Sequence, residues 1–196
     1  MLFVFSIDEP IITERLLLRP FTHEDLDDVY AYHSLPDVVR FLYWEVRTRE
    51  ETRNVLRRKC EQTSLKNDGD SLVLAITLTG CAQGTNTGVV GEVILFLRSL
   101  EHRQAEIGFV MNPDFQGKGY AREAAEAMLK IAFDDLNAHR VFGRTDARNE
   151  ASSGLMRRLG MRQEAHFVHN EIFKDEWGDE LIFAILEDEW VRMQLG

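Results

Sequence analysis

The residues best suited to chemistry stand at one joint, between Ile107 and Arg122, where a strand pattern stops and a helix pattern starts. Ile107, Phe109 and Met111 alternate with Gly108 and Val110, and Asn112-Pro113 ends that strand, because proline cannot donate to a ladder and restricts the residue before it. From Gly119 onward Ala121, Ala124, Ala125, Met128, Leu129, Ala132 and Phe133 recur at helical spacing, predicting an amphipathic helix that ends near Leu136. Gln116-Gly117-Lys118-Gly119-Tyr120-Ala121 is therefore a glycine-rich loop entering a helix N-terminus. Such a joint offers unpaired N–H groups and the positive end of a helix dipole, and glycine lets an anion approach the backbone.

The identity of the anion decides function. A P-loop needs G-x-x-x-x-G-K-S/T, which Gly117-Lys118-Gly119 does not supply. A dinucleotide fingerprint fails as well, because Arg122 stands where the third small residue belongs. An isolated G-x-G can also be an ordinary left-handed turn, but the order strand, Asn-Pro break, loop, long helix favours a ligand site. Gln116, Gly119 and Ala121 match Q/R-x-x-G-x-G/A, and the stretch resembles the acyl-coenzyme A loop of the GNAT superfamily. That resemblance implies that Gln116, Gly117, Lys118, Gly119, Tyr120, Ala121 and Arg122 hold the pyrophosphate of acetyl-CoA.

A second joint follows. Arg140 to Thr145 reads as a strand parallel to the first, reached by the helix crossover, and Asn149 to Ser153 starts a helix through Leu155, Met156 and Leu159 that Gly160 closes. This segment resembles the GNAT N-x-x-S/A…G-F pattern, with Met161 in place of phenylalanine. In the family the two parallel strands splay and the pantetheine arm enters the gap, which implies coenzyme contacts at Phe109, Val110, Met111 and Asn149. Asn149 also makes a good helix N-cap, and one residue can do both. Many GNAT enzymes carry a tyrosine acid seven residues after this asparagine, where Met156 stands. Attention shifts to Ser152, a thiolate hydrogen-bond donor or merely a cap.

The scaffold can be read from the start. Arg15-Leu16-Leu17-Leu18-Arg19-Pro20 is a strand closed by proline; Thr22 with Asp25 and Thr48 with Glu51 are capping boxes for two helices, the first ended by Pro36. Between them Phe41, Leu42, Tyr43 and Trp44 are consecutive, and line a pocket, pack as core or form a homodimer contact. Lys66 to Asp70 is a turn, Leu72 to Leu78 a doubly covered strand, Gly80 to Gly88 a small-residue loop, and Val89 to Leu97 a further strand in an antiparallel meander. Phe167 to Phe173 and Glu180 to Leu186 form a C-terminal hairpin around Asp175-Glu176-Trp177-Gly178. His166 and His169 are spaced for opposite strand faces, so a metal pair is not expected.

R-L-x-L-R-P, then a helix, Ser34-x-Pro36-Asp37-Val38 and an aromatic cluster, resembles the ribosomal-protein N-terminal acetyltransferase branch of GNAT proteins, the RimJ/RimL-like group. That branch carries a serine matching Ser152 near the coenzyme sulfur, and a carboxylate matching Glu171, assigned as the base. The chemistry needs one. An α-amine titrates near ~8 and lysine near ~10.4, so most acceptor arrives protonated and cannot attack a thioester. Glu106 and Glu92 on the meander are competing bases, or simply strand carboxylates facing solvent. A backbone N–H near Val110 or Met111 is the natural donor to the oxyanion.

Composition sets the outer limits. At 196 residues and 44% hydrophobic, the chain fits one domain, residues 1–196, with one substantial core. Its longest apolar runs fall well short of the ~20 residues that span a bilayer, and Met1 to Ile7 lacks the features of a signal peptide, so a cytoplasmic protein with no membrane partner is expected. Cys60 and Cys81 form no C-x-x-C pair. A net charge of −10 argues against nucleic acid and suits a cationic acceptor, while Lys118 and Arg122 supply local positive potential for the coenzyme; Arg157 and Arg158 are further candidates or plain surface arginines.

The reading is an α/β GNAT fold: a mixed six- to seven-stranded sheet, helices on both faces, splayed central parallel strands and a C-terminal β-hairpin. It implies acetyl transfer from acetyl-CoA, without metal, to a primary amine, first of all a protein N-terminus. The alternatives are a small amine (amino acid, polyamine, antibiotic) or a non-catalytic acyl-CoA sensor.

Overall fold

The computed structural model describes residues 4–79 and 88–195. Apart from Gly88, the expected small-residue loop, with Cys81, lies outside the described residues. A short ribbon pairs β1 (Phe5–Ser6) with β4 (Ser64–Leu65). Among the described residues the main sheet has eight strands: in spatial order β2 (Ile11–Ile12), β3 (Leu16–Pro20), β5 (Ser71–Leu78), β6 (Gly91–Ser99), β7 (Gln104–Met111), β8 (Arg140–Asp146), β10 (Glu176–Leu186) and β9 (Arg162–Phe173). The two-residue β2 accounts for the strand beyond the expected seven; it is too short to give a pattern.

Strand period divides the sheet into two faces. On one, Val93, Leu95, Ala105, Ile107 and Met111 pack with α4 (Tyr120–Lys130), α5 (Glu150–Arg158) and α6 (Glu187–Leu195) in the main core. On the other, Val73, Ala75, Ile94 and Val110 meet Phe21, Val29 and Tyr32 of the α1 region (α1, Leu26–His33) and Leu56 of α3 (Arg49–Glu61). Covering on both sides explains why β5 is buried along nearly its whole length and reads as one apolar run.

The start and stop signals act largely as expected. Thr48 and Glu51 form a reciprocal capping box at α3, and Thr22 and Asp25 form another, over a 3-10 turn from which α1 continues. Pro36 does not only end α1. It occupies the first turn of a short α2 (Pro36–Val39), where a missing N–H costs nothing. Helix α4 runs on through a π turn, Ile131–Asp135, to Leu136.

Meander and crossover agree with the sequence: β5, β6 and β7 are antiparallel neighbours, and β8 runs parallel to β7. The parallel pairing covers only Gln104–Arg140, Ala105–Val141 and Glu106–Phe142. Beyond Glu106 the two strands part.

Two details of the C-terminal hairpin differ from expectation. Its turn is Lys174-Asp175, with φ of 51° and 65°, so Glu176, Trp177 and Gly178 already belong to β10. Positive φ at both central residues suits a two-residue hairpin turn, but neither residue is glycine, so the usual signal is missing. Register also slips between Gly178–Glu171 and Glu180–Phe167, a bulge in β9. At the bulge both histidines meet Asp179: the His166 ring lies 2.8 Å from its Oδ2, and the His169 backbone N–H donates to its Oδ1 at 2.9 Å.

Candidate active site

The loop after β7 is held by its own residues. Asn112 Oδ1 accepts from the Asp114 N–H at 3.1 Å, and Gln116 Nε2 donates back to the Met111 carbonyl at 3.3 Å. Gly117 and Gly119 adopt φ of 72° and 83°, and Gly119 stands at the N-cap of α4. Among the described residues, the amides of Gly117, Lys118 and Gly119 donate to no protein acceptor. Tyr120, Ala121 and Arg122 form the first turn, whose amides have no carbonyl one turn back. Lys118 donates to the Asp114 carbonyl at 2.9 Å, and Arg122 pairs with Glu126 at 2.8 Å; both are surface cations beside the cluster of amides.

At the second joint Asn149 is the N-cap of α5, its Oδ1 accepting from the Ser152 N–H at 3.1 Å. Asn149 thus does the capping, and the half-buried Ser152 hydroxyl has no hydrogen-bond partner among the described residues. Met156 is only 2% exposed, and a Cβ built on Gly143 of β8 would lie 3.1 Å from its sulfur and 3.4 Å from the Ile107 carbonyl. The position of the family's tyrosine is therefore apolar core.

The third group lies on the α1–α3 face, where the sequence reading had isolated carboxylates. Glu106 is not a solvent-facing strand residue: Arg98 holds its Oε2 at 2.7 Å and Arg144 its Oε1 at 3.2 Å. Arg144 also reaches Glu180 at 3.3 Å, and Asn170 donates to the same carboxylate at 3.1 Å. Burial pushes the Glu180 carboxyl above the ordinary range; the Glu171 and Glu106 charges add to this and Arg144 opposes it. Glu171 accepts a hydrogen bond of 2.5 Å from Tyr43, whose phenol is pushed up by partial burial and then by that carboxylate, and so stays protonated. Tyr43 also meets the Phe173 ring edge-on at 5.3 Å.

Glu92 belongs elsewhere. Burial alone would raise its carboxyl, but the paired Lys59 ammonium holds it far below the usual range, in a closed group with Tyr32 at 3.3 Å. The aromatic cluster divides: the half-buried Trp44 packs on the buried His33 at 4.6 Å under the Arg47 guanidinium, while Tyr43 reaches Glu171. Sequence reasoning passed over Arg144 and Glu180; the available signal was a carboxylate, Glu180, opening the apolar run of its strand, where it is buried. Arg157 donates to Gln163 at 3.2 Å.

A sequence model of the acetyltransferase (GNAT) domain matches residues 15–162. The chain belongs to the GNAT acetyltransferases. It is 34% identical over 183 residues to an uncharacterized N-acetyltransferase, YnaD, of Bacillus subtilis, covering 92% of this chain and 98% of that one. A GNAT-family acetyltransferase structure from Bacillus anthracis superposes with a TM-score of 0.79 at 33% identity, over 91% of this chain and 99% of that one. Spermidine N-acetyltransferase of Vibrio cholerae, solved with CoA and spermine, shares the fold with a TM-score of 0.74 at 21% identity, over 91% and 99% of the two chains.

GNAT enzymes are N-acetyltransferases that draw the acetyl group from acetyl-CoA, and the first joint suits that coenzyme. Free amides surround two glycines at a helix N-terminus, and nothing lies within 4 Å of a Cβ built on Gly117, so an anion can reach the backbone. The splay leaves the β8-facing edge of Ile107–Met111 without a strand partner, the polar edge that an amide-bearing arm can pair with. Among the described residues no group of three His, Cys, Asp or Glu side chains could hold a metal ion, and no helix is long and apolar enough to cross a membrane.

Proposed function

We propose that this GNAT enzyme acetylates a primary amine, with a protein N-terminal α-amine as first acceptor. The observation that carries the reading is the combination of free loop amides after β7, the unpaired edge of that strand, and the Glu171–Tyr43 pair beside the Glu180–Arg144–Glu106 group that reaches β7. Acetyl-CoA supplies the thioester. In this reading Glu171 takes one proton from the bound ammonium, directly or through water, and the freed nitrogen forms the amide bond as the carbon–sulfur bond breaks, its second proton passing through solvent to the departing thiolate. Amides near Val110 and Met111 donate to the negative charge that develops on oxygen, and the free Ser152 hydroxyl donates to the departing sulfur. Glu171 is preferred to Glu106 because Arg98 and Arg144 occupy both oxygens of the latter, and to Glu92 because that carboxylate is sealed against Lys59.

The R-L-x-L-R-P opening and the segment carrying Tyr43 favour the ribosomal-protein branch and a peptide acceptor. A second reading, a small polycationic amine, is favoured by three carboxylates on one face: Glu106, Glu171 and Glu180. Mass-shift screening of N-terminal peptides and amine pools with acetyl-CoA tests both. Acetylated peptide N-termini support the first reading and acetylated polyamines alone the second; coenzyme binding without thiol release in any pool would make the domain a sensor.

A further inference from the structure

Arg15, the first residue of the R-L-x-L-R-P motif and the one just before β3, lies 103 positions before Lys118 of the glycine loop and nonetheless touches it: its Nη1 donates to the Lys118 carbonyl at 2.9 Å. Three donors converge on Glu123 in the first turn of α4. Thr13 Oγ1 approaches Oε1 at 2.6 Å, the Arg15 backbone N–H approaches the same oxygen at 2.7 Å, and Arg15 Nε approaches Oε2 at 2.7 Å. The guanidinium lies 5.0 Å from the centroid of the Tyr120 ring, and its Nη2 lies 3.2 Å from where a Gly119 side chain would begin. Arg15 thus packs against one side of residues 118–120.

We infer that Arg15 is a positioning residue for the coenzyme pyrophosphate, acting through the Lys118–Gly119 peptide and through Glu123. The carbonyl and N–H of a trans peptide point in opposite directions, so fixing the Lys118 carbonyl on Arg15 turns the Gly119 N–H away from Arg15, outward to the free side of the loop. Glu123 presents a second need. A carboxylate in the first turn of α4 competes with a phosphate for the same positive helix end. Burial would raise the Glu123 carboxyl, but the Thr13 and Arg15 hydrogen bonds hold it down, so it is a charge, and Arg15 is the cation that neutralises it. The inference rests on the reading of this loop as the pyrophosphate site.

Calorimetry with acetyl-CoA on Arg15→Ala, Arg15→Lys and Gly119→Glu, with melting temperatures and steady-state rates, provides the test. Arg15→Ala is expected to weaken coenzyme binding about 10- to 100-fold, the worth of a charge-assisted hydrogen bond, and to raise the coenzyme KM rather than lower kcat. Arg15→Lys keeps one cation near Glu123 but loses the two-armed grip, and should fall between; it carries the test if Arg15→Ala does not fold. A lower melting temperature with parental coenzyme affinity would mean a structural role alone and overturns the inference. Loss of binding in Gly119→Glu with none in Arg15→Ala overturns the inference but keeps the loop, whereas parental affinity in both removes the loop reading and the inference with it.

Discussion

The Tyr43 hydroxyl donates to the Glu171 carboxylate at 2.5 Å, joining side chains 128 positions apart. Lys174, at the hairpin turn, ties the same two regions a second time, donating to the Val39 carbonyl at 2.9 Å and the Trp44 carbonyl at 3.2 Å. The segment between α2 and α3 is thereby fastened over β9, and the carboxylate proposed as base accepts from a phenol that stays protonated.

Glu171→Gln should lower kcat by ~10²–10⁴, with partial recovery at high pH as the acceptor amine loses its proton unaided. Tyr43→Phe removes only the orienting donor and should cost about 10-fold, roughly one ordinary hydrogen bond. Rate profiles from pH 6 to 10 read both. Full activity of Glu171→Gln at neutral pH, with loss in Glu106→Gln or Glu180→Gln, moves the base to the other carboxylate.

Restoring the family's tyrosine should not restore its chemistry. Met156→Tyr forces a larger side chain against Gly143, where a sulfur already lies 3.1 Å from the Cβ position, and should destabilise by about 1–3 kcal/mol. No new alkaline limb is expected in the rate profile, whereas Ser152→Ala should slow turnover with coenzyme affinity retained. An unaltered kcat in Ser152→Ala would remove the hydroxyl from the reaction.

The buried Glu92–Lys59 pair predicts a stability test remote from catalysis. Glu92→Gln leaves Lys59 buried without its partner and should cost about 3–5 kcal/mol in denaturant unfolding. The sign with pH follows from the depressed folded value: the stabilisation is complete above the unfolded carboxylate value near ~4.3 and is lost as pH falls toward the folded one. The parent should lose stability on acidification below about pH 4.5, and Glu92→Gln should lose less. Equal slopes would separate this pair from acid unfolding.

With 33 acidic against 23 basic residues and the carboxylates of Glu106, Glu171 and Glu180 together on the α1–α3 face, salt should weaken a cationic acceptor more than the coenzyme. Exposed charges lose reach once the screening length shortens to ~10 Å, while phosphates on backbone amides sit at contact distance. Acceptor KM measured at saturating acetyl-CoA between low and moderate salt decides. A flat response would replace electrostatic recruitment with selection by shape around Phe41 and Tyr43.

The first joint was legible because its signals are local: alternation through Met111, the Asn-Pro break, glycines at positive φ and a helical stripe all lie within one stretch. Asn149 was legible as a cap for the same reason. The Lys174-Asp175 turn and the β9 bulge were not, because non-glycine residues adopt the left-handed backbone there without a compositional sign. The link from Glu106 through Arg144 to Glu180 depends on the order β7, β8, β10, and the grip of Arg15 on Lys118 spans over half the chain. Contacts of that kind arise only once the topology is known.

The short seam between β7 and β8 gives the molecule a mechanical character. Three residue pairs sew one plate, β2-β3-β5-β6-β7, to another, β8-β10-β9, so few backbone hydrogen bonds hold the seam, the condition under which local opening costs least. A pantetheine arm laid in that opening would act as the missing stitch, and ligand binding would stiffen the sheet as a whole. Amide exchange at Ile107–Met111 should then slow on addition of acetyl-CoA, more than in β5, which already lies between two strand neighbours.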